Sequence, residues 1–201
     1  MPRIITGKAK GTRLLVPAGT FLRPTSGRTK EALFSILDLK VEGARLLDLF
    51  SGSGQMALEA LSRGASEAVL IEGNKKAQAA IRTNLERTRL TGARLLFGDY
   101  RTGLETLISE ERTFDLIYVD PPWAEAGRIL PRLAEKLPPL LDPSGLLILE
   151  SEGPPPPFFE EPLDLLRSCQ YGTGVLSFYQ FKPDSREFSA STKQGDRDAD
   201  K

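Results

Sequence analysis

The sequence predicts an α/β fold: a mostly parallel seven-stranded sheet covered by helices, ending in a C-terminal antiparallel hairpin and preceded by a small hairpin-and-helix extension. Three observations carry this expectation. From residue 45 onward, short apolar runs alternate with helical stretches, the pattern of strands joined by crossover helices. A glycine-rich turn follows the first apolar run, where such a sheet passes its first strand into a helix. Two β-rich runs near the end are parted by Gly172, Thr173 and Gly174, a spacing that favours a tight reversal.

Taken in order, residues 4–16 mix β-type residues with glycines. Arg23, Pro24 and Thr25 then lead into a helix that carries Leu33, Phe34, Ile36 and Leu37. Residues 46–50 read as the first strand and 55–63 as a helix closed by Gly64. Residues 67–72 form the second strand, and Asn74 caps a helix whose Ala77, Ile81 and Leu85 share one face. Residues 94–98 give a third strand, and 114–120, almost uniformly apolar, a fourth in the middle of the sheet. A helix over 126–141 precedes a fifth strand at 145–150. Four prolines at 154–157 cannot enter sheet or helix and mark a rigid surface connection. Residues 169–171 and 175–181 make the hairpin. The polar end lacks periodic apolar positions and is expected to be disordered. The expected divisions are a basic extension at 1–40, a main domain at 41–182 and a disordered tail at 183–201.

At 201 residues with 40% hydrophobic content, the chain suits one packed core. It holds no apolar run near the roughly 20 residues of a bilayer span and no signal-peptide stretch, so a cytoplasmic location is expected. Cys169 is the single cysteine and is expected to be a buried structural thiol. The absence of histidine removes imidazole acid–base catalysis, His triads and His-bound metal, and no metal site is expected. Net charge is zero, yet residues 1–30 hold seven basic side chains and no acidic one: Arg3, Lys8, Lys10, Arg13, Arg23, Arg28 and Lys30. Such a segment fits contact with a phosphate backbone. On charge alone, a solvated basic arm remains an equal alternative.

Asp48-Leu49-Phe50-Ser51-Gly52-Ser53-Gly54 joins the first strand to its helix. Gly52, Gly54 and Ala57 satisfy a dinucleotide-type spacing, so a nicotinamide cofactor has to be weighed. Asp48 discriminates: a fixed carboxylate at this turn would repel a pyrophosphate, whereas S-adenosylmethionine brings an ammonium and a sulfonium. Glu72 ends the second strand, where it could accept from ribose hydroxyls, and Asp99 follows the third, where it could accept from an adenine amine. Ser51, Ser53, Gly73 and Tyr100, beside these acids and glycines, complete the candidate cofactor set.

Asp120-Pro121-Pro122-Trp123 closes the fourth strand. The prolines stiffen the backbone and contribute no N–H, so the Pro121 carbonyl and the Asp120 carboxylate form a pair of acceptors. A primary aromatic amine has two N–H donors to match them. Held so, its lone pair faces the methyl donor, and the positive charge that develops on nitrogen is stabilised. Trp123 offers a face for a base drawn out of its stack. The structural alternative is a proline turn with Trp123 packed in the core.

These residues resemble the amino-methyltransferases of the Rossmann-like class I methyltransferase fold. More closely, Arg3-Ile4-Ile5-Thr6-Gly7 with Lys10-Gly11, then Arg23-Pro24-Thr25, then Lys30-Glu31-Ala32-Leu33-Phe34, then Leu58-Glu59-Ala60-Leu61-Ser62-Arg63-Gly64-Ala65 are similar to the RsmD family. Its members are bacterial 16S ribosomal RNA guanine N2-methyltransferases, and the likeness covers residues 3–181. The resemblance implies S-adenosylmethionine as cofactor, held by Asp48, Phe50, Gly52, Gly54, Glu72 and Asp99, and a catalytic pocket at Asp120, Pro121, Pro122 and Trp123. It implies that Arg23 and Thr25 border that pocket while the basic hairpin contacts RNA, with Arg3, Lys8, Lys10, Arg13, Arg28 and Lys30 as candidates. A monomer acting on ribosomal RNA in an assembling small subunit, away from membranes, is the expected arrangement. The sequence departs from the family at Gly27, where Asp is usual, and at Trp123, where Phe or Tyr is usual.

Three other activities share parts of this pattern. DNA adenine-N6 or cytosine-N4 methylation uses the same acceptor pair, but such enzymes usually add a recognition domain for which this sequence leaves no room. Methylation of a protein glutamine amide generally goes with Asn where Asp120 stands. A non-catalytic RNA-binding assembly factor would be expected to have lost Asp120, Pro121 or Pro122.

Overall fold

Leucine-rich and β-branched runs set the strands, and their ends set the site. In the computed structural model, which describes residues 2–17 and 27–183, the strands are β1 (Arg45–Leu49), β2 (Glu67–Glu72), β3 (Ala93–Phe97), β4 (Phe114–Val119), β5 (Leu141–Glu152), β6 (Leu163–Tyr171) and β7 (Gly174–Phe181). The helices are α1 (Gly27–Leu37), α2 (Gln55–Ser62), α3 (Lys75–Thr88), α4 (Tyr100–Ser109) and α5 (Ala126–Lys136). The strands form one sheet of order β3-β2-β1-β4-β5-β7-β6, seven strands as the sequence predicts. Pairs from β3 to β5 are parallel, and β7 lies antiparallel to both β5 and β6. From β1 the chain builds outward to β2 and β3, then crosses back to place β4 on the other side of β1. The strand order therefore reverses at the carboxyl ends of β1 and β4, the place where sheets of this kind bind ligands.

The two-residue strand period splits the core. Leu47, Val69, Ile117 and Leu147 face α4 and α5, where Leu107, Ile129 and Leu133 meet them. Leu46, Leu70, Leu116 and Ile148 face the opposite way, toward Leu33, Phe34, Met56, Ala60 and Ile81 of α1, α2 and α3.

The N-terminal segment folds back on itself. Arg3 and Arg13 make an antiparallel bridge, and Ile4 and Leu14 pack on Leu58 of α2. Its anchor is Glu59, fully buried in α2, whose carboxylate accepts from the backbone N–H groups of Ile5 (2.8 Å) and Thr6 (3.1 Å). The same carboxylate pairs with Lys30 (3.1 Å) and Arg63 (2.9 Å). Gly7 has φ +86° and lies so close to α2 that a Cβ would stand 1.7 Å from the Ser62 carbonyl oxygen, so only glycine fits. The side chain of buried Asn84 in α3 accepts from Leu15 N–H (2.7 Å) and donates to the carbonyls of Leu15 and Ser53 (both 2.9 Å).

Several expectations change. Helix α4 follows directly after Asp99 in a stretch that the sequence reading leaves unassigned; the Asp99 side chain caps it by accepting from Arg101 N–H at 2.9 Å. Helix α5 stops at Lys136, ahead of Pro138 and Pro139, so β5 starts at Leu141 rather than 145. β6 starts at Leu163, well before 169. Cys169 is not a buried thiol: it is half-exposed on β6, the edge strand, and its sulfur accepts from Arg167 Nε at 2.9 Å. Arg23, Pro24 and Thr25, and the tail from residue 184, lie outside the described residues.

Removing Glu59 would leave Lys30 buried without its countercharge and two backbone donors without an acceptor. Glu59→Ala is expected to cost about 3–5 kcal/mol in urea unfolding, and to speed amide exchange at Ile5 and Thr6 ahead of the sheet.

Candidate active site

The loop after β1 is wound tightly by its own hydrogen bonds. Ser51 Oγ donates to the Asp48 carbonyl (2.6 Å), and Gly54 N–H donates to the Ser51 carbonyl (2.7 Å). Phe50, Gly52 and Gly54 all take positive φ, and only Phe50 has a side chain to strain there. A Cβ on Gly54 would come within 3.2 Å of Leu70 and 3.3 Å of Ile81, so the glycine also lets α2 approach the sheet. Ser53 is buried and its carbonyl receives Asn84.

Asp48 is 1% exposed, and among the described residues its carboxylate accepts one long bond, from Ala57 N–H at 3.2 Å. Burial pushes its carboxyl up to about 8, against the Ala57 hydrogen bond and with a further push from Glu72. Glu72 is also buried and raised by desolvation, but it is better held: it accepts from Gly52 N–H (2.7 Å) and Asn74 N–H (2.6 Å). Gly73 lies beside the Gly98 carbonyl, with room for a Cβ only at 3.4 Å, so the ends of β2 and β3 converge there.

Asp99 stands apart from this pattern. It is exposed and grips Arg101 with both carboxylate oxygens, at 2.9 and 2.6 Å, which holds its carboxyl down at about 2. Any amine it receives must compete with that guanidinium. Tyr100, the next residue, meets Phe50 with ring centroids 5.3 Å apart, so two candidate residues from different loops form one aromatic wall.

Asp120 follows the last residue of β4, directly across from the end of β1. Burial, then the Glu150 carboxylate, then Asp48 push its carboxyl well above the usual range. Pro121 is buried and Pro122 exposed, and Trp123 is half-buried, opening a short 3-10 turn rather than being sealed in the core. That turn is closed by Glu125 N–H donating to the Pro122 carbonyl at 2.8 Å, which leaves the turn independent of the Pro121 carbonyl. The structure thus brings Asp48, Glu72 and Asp120 to one carboxyl edge, with Phe50 and Tyr100 beside them.

Sequence reasoning missed Glu150 and Tyr118. Glu150 is 7% exposed near the end of β5, and the Tyr118 hydroxyl donates to it. The signal was present, since an acid at a strand end is the rule that picks out Asp48 and Glu72. Of the basic candidates, Arg3, Lys8, Lys10, Arg13 and Arg28 are exposed. Lys30 is a correction: it is 1% exposed, paired to Glu59 and donating to the Arg3 carbonyl at 2.7 Å, so it braces the arm and cannot reach a phosphate. Arg23 and Thr25 fall outside the described residues.

The raised Asp48 carboxyl links stability to pH. The unfolded chain holds this group near 3.8 and the folded chain near 8, so the folded state binds the extra proton between them. The ligand-free protein is expected to lose thermal stability as pH rises from 5 to 8 through this group, and Asp48→Asn should flatten that slope in a melting series.

Comparison with known proteins agrees with this geometry. Residues 2–180 match the family described as Conserved hypothetical protein 95. The Ribosomal RNA small subunit methyltransferase D of Haemophilus influenzae is 31% identical over 180 residues, 88% of this chain and 91% of that protein. Its namesake in Escherichia coli K12 is 36% identical over 121 residues, 60% of this chain and 60% of that protein. The solved structure of a Thermus thermophilus hypothetical protein, TTHA0928, matches with a TM-score of 0.76 at 32% identity, covering 90% of this chain and 99% of that one. With the match running through the arm, the glycine loop and the proline corner alike, the chain belongs to the Conserved hypothetical protein 95 family, the RsmD-type methyltransferases that its motifs resemble.

Proposed function

We propose that this protein transfers a methyl group from S-adenosylmethionine to the exocyclic N2 amine of a guanine in small-subunit ribosomal RNA. The observation that carries this reading is Asp120: a half-buried carboxylate on a proline-stiffened corner, across the sheet's switch point from a fully buried acid, Asp48. The site fits the donor because its acids are desolvated and repel one another, which a cationic ligand relieves. Asp48 faces the positive end, Glu72 can accept from ribose hydroxyls, and Phe50 with Tyr100 flank an adenine ring. When bound, the donor supplies an electrophilic methyl on sulfur. The protein's part is to hold the amine by the Asp120 carboxylate and the Pro121 carbonyl, so that both N–H groups are engaged and the lone pair is aimed. As positive charge grows on nitrogen, the two acceptors stabilise it, and Asp120 is suited to take the proton that leaves. Trp123 supports the base by stacking.

Residues 1–40 are assigned to RNA contact and 41–182 to methyl transfer, in a monomer that acts on RNA within an assembling small subunit. Relatives named for small-subunit ribosomal RNA methylation support the substrate class. No helix among the described residues is long and apolar enough to cross a membrane.

Asp120→Ala is expected to lower turnover at least about 100-fold while calorimetry still detects donor binding. Loss of donor affinity in step with activity would assign Asp120 to the cofactor instead. Ribosomal RNA nucleosides from cells lacking the gene should show a deficit of N2-methylguanosine by mass spectrometry, and the labelled position should be restored by the purified protein. Changing Lys8, Lys10 and Arg13 together to Ala should weaken RNA binding and reduce the salt slope by about 0.7 for every phosphate no longer neutralised.

A further inference from the structure

One acid at the carboxyl edge has no part in the roles above. β4 and β5 run parallel with Val119 opposite Leu149, so the next residues stand side by side: Asp120 just past the end of β4, and Glu150 still within β5, paired with Leu176 of β7. They share the face that carries Tyr118 and Ile148. Glu150 is buried, and its Oε2 receives the hydroxyl of Tyr118, which is itself in register with Asp48. On its other side Oε1 lies next to Gly174 of β7, where a Cβ would stand in ordinary contact 3.5 Å away. The carboxylate is thus oriented and set beside another carboxylate, an arrangement that costs stability unless donors meet it.

The chemistry of bases says which donors. In guanine the exocyclic N2 amine neighbours N1–H, a second donor. In adenine the N6 amine, and in cytosine the N4 amine, neighbour a ring nitrogen that offers a lone pair. A carboxylate next to the amine's own acceptor accepts N1–H from guanine and faces a lone pair in the other two. We infer that Glu150 is the specificity-determining residue of this site, receiving N1–H of the target guanine while Asp120 receives its N2 amine. This rests on the proposed guanine N2 activity and deepens it. It selects against adenine and cytosine because their ring nitrogen would set a lone pair against the Glu150 carboxylate, a repulsion that guanine N1–H does not meet. Tyr118 acts through Glu150 as a positioning residue.

The test compares two RNA fragments that differ at the methylated position, one with guanine and one with 2-aminopurine. The latter keeps the 2-amine but presents N1 as an acceptor. The wild-type protein should favour guanine in kcat/KM by upward of about 100-fold. Glu150→Gln, whose amide can donate to an unprotonated N1, should narrow that ratio at least about tenfold, with donor binding unchanged. A ratio unmoved by Glu150→Gln, or equal loss on both fragments, overturns the assignment. If that variant does not fold, Tyr118→Phe carries the same test: its ratio should also narrow, and an unchanged ratio overturns the inference. Failure of the wild-type protein to methylate the guanine fragment would instead overturn the proposed function, so the two failures are distinguishable.

Discussion

Negative charge held out of water at one edge of the sheet is the constraint around which this site is organised. Asp48, Glu72, Asp120 and Glu150 end or nearly end four strands, and a parallel sheet brings strand ends together without regard to what they carry. Their stabilisation differs. Glu72 has two short backbone donors, Asp48 one long one, and Asp120 is raised by its acidic neighbours as well as by burial. A cationic ligand lowers the cost of ionising all of them at once. On the proposed role of Asp120, the charge that holds and aims an amine would be restored when the positively charged donor arrives, coupling cofactor binding to the readiness of that carboxylate.

The basic arm is joined to this edge by side chains rather than by strand pairing. Glu59 fixes the turn at Ile5 and Thr6, and Lys30 brings α1 onto the same carboxylate. Asn84 then bridges Leu15 of the arm and Ser53 of the glycine loop through one amide. An RNA held by Lys8, Lys10 or Arg13, as proposed, would thereby stand in fixed relation to the loop proposed to hold the donor. Fixed relation is what in-line transfer requires, since small misplacements of the reacting atoms cost large factors in rate.

Most of the sheet was legible because its strands are short apolar runs between clear punctuation. β2 and the Asn74 cap were read to the residue, since Gly64, Gly73 and Asn74 mark their ends. The helix α4 was missed because its apolar positions are few and its start is written in Asp99, which the reading had assigned to a ligand. β6 was read too short because its residues are mostly exposed, so the apolar signal fades where the sheet ends. The same exposure explains Cys169. Lys30 was misread because charge is visible in sequence and its burial is not; only the buried partner Glu59, on another helix, decides its fate. Glu150 escapes for the opposite reason: the strand-end rule that marks Asp48 and Glu72 applies equally to β5, a strand where no cofactor contact is expected.

The glycine loop shows why spacing alone could not decide between a phosphate-bearing and a cationic ligand. A loop that grips pyrophosphate must offer free backbone N–H groups at the helix start. Here three such donors are spent within the protein: Gly52 N–H goes to Glu72, Gly54 N–H to the Ser51 carbonyl and Ala57 N–H to Asp48. Two of the three acceptors are carboxylates, so the turn presents to a ligand not the positive end of a helix but that end already covered by negative charge. An anion arriving there would meet repulsion from both carboxylates, whereas a sulfonium or ammonium meets acceptors in place. Gly52, Gly54 and Ala57 thus shape the turn in both ligand classes, while Asp48 and Glu72 reverse the sign of what it binds.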